Sequence, residues 1–170
     1  MVMRLAVIIV FACAVALLGA APAASSDPAP RASGGGGFVA IPGWPKHRID
    51  RRLLGDVAYL VDKYNLRVNA GYEITGHAGS GEHPIGLALD VGPSRGPRGS
   101  WDDVDRLARW AEPRQGRPRA PFTWVGYNGD AGHGRGAHLH LSWRHTPTRP
   151  GQVARTVWLL DSGSIWTLTP

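Results

Sequence analysis

The sequence contains a single cysteine, Cys13, and that residue lies inside an apolar run near the N-terminus. If this run is removed as a signal, the remaining chain has no thiol. Disulfide bonds and Cys-rich structural zinc sites are then excluded, because both require cysteine. Any metal site must use imidazole, carboxylate or carbonyl ligands instead.

Lysine is also scarce. Only Lys46 and Lys63 are lysine among the 19 Lys and Arg residues, and the formal net charge is +6. A basic surface favours an anionic partner, such as a cell-wall polymer, nucleic acid or phospholipid. No basic run with interleaved aromatic residues is present, so we expect no nucleic-acid partner. A GC-rich genome, which favours Arg, Ala, Gly and Pro, is the alternative explanation of the charge.

Residues 1–24 have the pattern of a secretory signal peptide. Arg4 provides a basic start, an apolar run follows from 5 to 21, and small residues end at Ala23 or Ala24. The alternative is an uncleaved membrane anchor, but the run is short for a span of about 20 residues. We therefore expect a secreted or cell-envelope protein that keeps no stable membrane anchor after cleavage.

The rest of the chain divides into a linker and one domain. Residues 25–37 are rich in Pro, Gly and Ser and predict a disordered linker, whereas residues 38–170 predict one α+β domain. We expect a small antiparallel sheet with two helices packed on one face. Apolar periodicity and capping residues predict helices at 51–64 and 101–112 and strands at 66–70, 86–91, 122–127, 138–143 and 156–160.

Two short motifs carry histidines and a carboxylate. In the first, residues 81–90, small and apolar residues separate His83 from Asp90, and the second is the His-Leu-His at 138–140. Side chains alternate between the two faces of a strand, so both imidazoles of the second motif point to one side. Asp90 points away from the leucines of its own strand for the same reason. Gly86 and Ala88 share its face and are small, so they are expected to leave room for a metal and its ligands.

Two imidazoles and a carboxylate are typical ligands of zinc. We predict that His83, Asp90 and His140 hold Zn²⁺ on the sheet face opposite the helices, since a catalytic zinc takes three protein ligands and keeps a fourth position open. His138 is predicted to act beside it as general base or oxyanion stabiliser. The alternative is that these are ordinary surface or hydrogen-bonded histidines. That alternative explains any single histidine well, but it explains the combined pattern of three ligands poorly.

Four other histidines are weaker candidates. His133 lies in a Gly-rich turn near the second motif, and His77 lies in the loop before the first. Both are candidates for substrate binding or proton shuttling. His47 and His145 are predicted to be surface residues.

The two motifs resemble those of the LAS zinc peptidases, the group that contains lysostaphin-type enzymes, D-alanyl-D-alanine carboxypeptidases and the hedgehog signalling fold. The similarity covers residues 51–143, and its first motif matches at His83, Gly86, Ala88 and Asp90. The His-to-Asp spacing is similar to the carboxypeptidase and murein endopeptidase branch. The resemblance implies one zinc ion, peptidoglycan peptides as substrate, and a small α+β fold of the hedgehog/DD-peptidase type.

The sequence departs from this family in three places. Gly81 stands where members usually have Ser, and no Arg precedes the first motif in the segment 71–73. Members of the carboxypeptidase branch also carry a Glu shortly before the second motif as general base, whereas residues 135–137 are Arg, Gly and Ala. Either His138 replaces that Glu, or the domain binds zinc and serves in wall binding or signalling without catalysis.

Overall fold

The computed structural model describes residues 28–76, 81–128, 130–134 and 136–160. The predicted signal peptide and His77 lie outside these residues. Within them, no helix combines the length and the apolar character that crossing a bilayer requires. In chain order the strands and helices are β1 (Arg31–Ser33), β2 (Phe38–Ile41), β3 (Trp44–Asp50), α1 (Leu54–Lys63), β4 (Leu66–Ala70), β5 (Ala88–Pro93), α2 (Trp101–Ala111), β6 (Phe122–Gly126), β7 (Leu139–Trp143) and β8 (Thr156–Trp158).

A four-stranded antiparallel sheet of order β4-β5-β7-β6 forms the centre of the fold. Strands β2 and β3 form a separate antiparallel hairpin, and β1 pairs with β8. The predicted α+β class with two helices is confirmed. The strands form three small sheets, where one was expected.

The predicted capping residues start α2 directly and α1 through a short 3-10 turn. Asp50 accepts a hydrogen bond from the backbone N–H of Arg52 at 3.0 Å and starts a 3-10 turn that leads into α1. Ser100 and Asp103 form a reciprocal capping box at the start of α2. These local bonds satisfy N–H groups that have no partner within the helix, which is why the helix starts are readable from sequence.

The two faces of the central strands have different roles. On β5 and β7, Leu89 pairs with Leu141 and Val91 pairs with Leu139, and all four side chains are fully buried. They join the apolar residues of α1 and α2 in one core. Each such side chain contributes about 1.5–3 kcal/mol on burial. This packing fixes the register, and the alternate residues are therefore turned to the opposite face.

Two segments differ from the sequence expectation. Part of the predicted linker 25–37 is a strand, β1, whose pairing with β8 relies on backbone hydrogen bonds and needs no large side chain. The hairpin of β2 and β3 was not predicted. Its second strand contains Pro45 and charged residues, which break the alternation of apolar and polar residues.

Gly86 has a different role from the one predicted. It lies outside β5 and ends the 3-10 turn His83–Ile85 with a φ of 70°, a left-handed conformation that favours glycine. A Cβ at this position would lie 2.7 Å from the ring of Phe38. Gly86 therefore permits a tight turn and the approach of Phe38, and it provides no space for a metal ligand.

Asp56 on α1 is a buried carboxylic acid, with 1% of its surface exposed. Its Oδ2 accepts hydrogen bonds from the indole N–H of Trp143 at 2.7 Å and from the backbone N–H of Leu160 at 3.0 Å. Burial raises the pKa of Asp56 from 3.8 to about 6, although both hydrogen bonds act in the opposite direction. Because the folded-state pKa is the higher one, folding stability is lost as the pH rises from about 4 to about 6.

Replacement of Asp56 with Asn is expected to remove this pH dependence, because the amide oxygen can accept both hydrogen bonds without becoming charged. The free energy of unfolding of Asp56→Asn minus that of the wild type should be larger at pH 7 than at pH 4 by about 2 kcal/mol. Denaturant titrations of both proteins at the two pH values measure this difference. A difference that does not change with pH would show that Asp56 titrates normally.

Candidate metal centre

Three elements bring the predicted ligands together. Asp90 on β5 lies directly opposite His140 on β7 in the strand register. His83 begins the 3-10 turn that precedes β5, and a hydrogen bond of 3.0 Å from the N–H of Gly86 to its carbonyl closes that turn. These elements place the His83 ring within hydrogen-bond distance of the Asp90 carboxylate.

The three side chains form a compact, buried group that can hold a metal ion. His140 Nδ1 lies 2.8 Å from Asp90 Oδ1, and His83 Nε2 lies 3.2 Å from the same oxygen. One ligand atom from each residue lies within 4.8 Å of the others. The sequence-predicted set His83, Asp90 and His140 is therefore brought to one place.

The hydrogen bonds of the two imidazoles fit a metal centre. His83 Nδ1 lies 2.5 Å from the backbone oxygen of Gly71, and His140 Nε2 lies 2.6 Å from Ser142 Oγ. Ligating histidines usually donate their second ring N–H to an oxygen of this kind. With a metal ion bound, the other nitrogen of each ring would give up its hydrogen bond to Asp90 and direct its lone pair at the ion, and such N/O donor sets suit zinc.

The charges of the group are coupled. Burial alone would raise the pKa of Asp90, but the hydrogen bonds from His140 and His83 hold that pKa well below its usual range. Burial alone would lower the pKa of His83, and its bonds to Asp90 and Gly71 outweigh burial and raise it. The carboxylate is therefore kept ionised, which is the form that binds a cation.

His138 and His133 lie at the edge of the group. His138 Nε2 is 3.7 Å from Asp90 Oδ1, while its Nδ1 is 3.0 Å from the backbone oxygen of Gly136. The ring of His133 stacks on that of His138 with centroids 4.1 Å apart. His133 Nε2 is buried and has no hydrogen-bond partner among the described residues. Burial, together with the neighbouring His138, lowers the pKa of His133.

Three further residues were not predicted from the sequence. Ser142 Oγ lies 3.0 Å from Glu82 Oε2, and His145 Nε2 lies 3.9 Å from Glu82 Oε1. Burial alone would raise the pKa of Glu82, but His145 and Ser142 outweigh burial and lower it. His145, predicted at the surface, has only 17% of its side chain exposed. The period of two along β7, which places Ser142 beside His140, was the available signal.

A groove of about 410 Å³ lies along strands β3 and β4, and none of its lining residues is one of the three ligands. A side chain at Gly92 would contact both Arg67 and Asn69, so these residues share the sheet face of Asp90, two residues before Gly92. The groove therefore borders the face that carries the metal ligands. Its lining residues are Trp44, His47, Leu66, Arg67, Val68, Ser94, Arg95 and Gly96.

Comparisons of the chain with protein-family models, with curated proteins and with solved structures gave no match. The assignment of a function therefore depends on the chemistry of the His83–Asp90–His140 group and its surroundings.

Proposed function

We propose that the protein is a secreted zinc-dependent peptidase that hydrolyses peptide bonds in peptidoglycan stems or cross-links. The observation that carries the proposal is the buried His83–Asp90–His140 group, with His138 beside it. The resemblance of both motifs to the LAS zinc peptidases supports the same chemistry and a hedgehog/DD-peptidase type of fold. The identity of the metal and the reaction are parts of the proposal.

The side chains of the site have different roles in hydrolysis. His83, Asp90 and His140 would hold the ion. A bound zinc ion would supply polarisation of the substrate carbonyl and a lowered pKa of the attacking water. The Nδ1–H of His138 donates to the carbonyl of Gly136, so its Nε2 is free to accept a proton from the attacking water. The same nitrogen then returns the proton to the leaving amine, as a general base that becomes a general acid.

The residues that line the groove favour a substrate that carries carboxylates. Arg67 and Arg95 line it together with Trp44, and it borders the sheet face of Asp90. Guanidinium groups pair well with carboxylates, and an aromatic wall adds apolar contact. Peptidoglycan stem peptides carry free carboxylates along a short extended chain. A stem peptide bound in the groove would extend toward the metal centre along the sheet face that Arg67 shares with Asp90.

A second candidate function is a non-catalytic domain that uses zinc for stability and binds the cell wall or a signalling partner. One observation favours it. Gly136 and Ala137 precede His138, where the carboxypeptidase branch has a glutamate as general base. In that case the groove binds wall peptides, and the metal holds the turn and the two strands together.

A panel of purified muropeptides distinguishes the two candidates. The zinc-loaded domain, a chelated sample and a chelated sample resupplied with zinc are incubated with each member, and the products are identified by mass spectrometry. The peptidase proposal predicts that one class of peptide bond is cleaved, that chelation stops cleavage and that zinc restores it. Binding of the peptides without cleavage of any of them would reject the peptidase and support the binding domain.

A further inference from the structure

Behind His140, a chain of polar side chains leads away from the candidate metal centre. His140 Nε2 lies 2.6 Å from Ser142 Oγ, and Ser142 Oγ lies 3.0 Å from Glu82 Oε2. Ser142 is fully buried on β7, two residues after His140. Glu82 directly precedes His83. This series of hydrogen bonds therefore connects the two segments that supply the imidazole ligands.

Only one arrangement of the protons along this series of hydrogen bonds is consistent with metal binding by His140. His140 Nδ1 faces Asp90, and it must carry a lone pair to bind a metal ion. The ring proton is then on Nε2, which donates to Ser142 Oγ. The single hydroxyl proton of Ser142 is left to donate to Glu82, whose ionised carboxylate only accepts. Each donor in the sequence thus meets one acceptor.

We propose that Ser142 and Glu82 are positioning residues that hold His140 in the tautomer and ring orientation that present Nδ1 to zinc. The proposal rests on the metal site of the proposed function. His145 supports the far end of the chain, with Nε2 3.9 Å from Glu82 Oε1. Without the Ser142 acceptor, a buried Nε2–H would have no partner among these residues. The tautomer protonated at Nδ1, which cannot bind zinc through the nitrogen that faces Asp90, would then become competitive.

Zinc affinity tests this role directly, since it requires no substrate and no turnover. Competition with a chromophoric chelator is expected to show that Ser142→Ala binds zinc about 10–100-fold more weakly than the wild type. The matched control is Thr123→Ala on the neighbouring strand β6. It removes a hydroxyl that bonds the backbone oxygen of Trp143 at 3.3 Å and makes no contact with His140. Its zinc affinity should stay within about two-fold of the wild type.

A spectroscopic readout separates positioning from a general loss of stability. The visible absorption of the Co²⁺-substituted protein reports the ligand field, so Ser142→Ala should change its band positions or intensity while Thr123→Ala should not. Glu82→Gln keeps an acceptor oxygen and removes the charge, so a smaller loss of zinc affinity is expected. The double variant Ser142→Ala/Glu82→Gln should bind no more weakly than Ser142→Ala, because both act through one chain.

The outcomes are distinct. If the wild type binds zinc and Ser142→Ala matches the control in affinity and Co²⁺ spectrum, the positioning role is wrong while the metallopeptidase proposal stands. If the wild type binds no zinc, both proposals fail. Should Ser142→Ala not fold, Glu82→Gln decides the question, because unchanged zinc affinity and an unchanged Co²⁺ spectrum there would overturn the role of the chain.

Discussion

Replacing His83 with Ala is expected to abolish zinc-dependent stabilisation of the protein. The change removes the imidazole whose Nε2 lies 3.2 Å from Asp90 Oδ1 and leaves only two of the three ligands. At a free zinc concentration of about 1,000 times Kd, binding stabilises the folded wild type by about 4 kcal/mol. For a domain of this size, that corresponds to a rise in Tm on the order of 10 °C.

Thermal unfolding of each variant with and without zinc measures this effect. The zinc-induced shift is compared within a variant, because losing the hydrogen bond from His83 to Gly71 also changes the stability of the metal-free protein. His47→Ala is the matched histidine control, since His47 lies on β3 outside the three-residue group. It should keep the full shift. An equal shift in His83→Ala would remove His83 from the ligand set.

Replacing His138 with Ala is expected to reduce peptide cleavage by about 10²–10⁴-fold while zinc remains bound. Its Nε2 lies 3.7 Å from Asp90 Oδ1, beside the three ligands, where it can exchange a proton with a reacting group. The loss should appear mainly in kcat, because proton transfer occurs in the transition state and contributes little to substrate binding. Steady-state kinetics on the muropeptide that the wild type cleaves, with zinc content measured in parallel, test this prediction.

Two results would contradict the role of His138. Cleavage at the wild-type rate would show that another group accepts the proton. The neighbouring His133, whose Nε2 has no hydrogen-bond partner within the described part of the chain, would be the next residue to substitute. Loss of zinc from His138→Ala would show that this histidine is a metal ligand. In both cases the three-ligand site with a separate general base would have to be revised.

Features that depend on local sequence were predictable. Asp50 and Ser100 start helices through bonds to residues two or three positions away. The period of two predicted that Asp90 and His140 point away from the leucines of their own strands, which must enter the core. Their direct pairing across β5 and β7 is a finding of the structure. The core packing sets which face each residue occupies, and the sequence therefore predicted that His83, Asp90 and His140 converge.

Features that depend on contacts between distant segments were not predictable. Gly86 was placed in a strand, but its conformation and its contact with Phe38 depend on a hairpin that its own neighbours do not encode. Ser142 and Glu82 are 60 residues apart, and only the fold brings them together behind His140. Ser142 lies two residues after one ligand and Glu82 directly precedes another, and neither position forms a distinctive local sequence pattern. Their role is therefore seen only from the folded structure.

The coordination of zinc in the loaded protein tests the central claim most directly. A crystal structure with anomalous data at the zinc edge would locate the ion and its ligands. The account predicts one ion bound by His83 Nε2, His140 Nδ1 and an Asp90 carboxylate oxygen, each at about 2.0–2.2 Å. An ion bound elsewhere, or no ion at this group under saturating zinc, would contradict it.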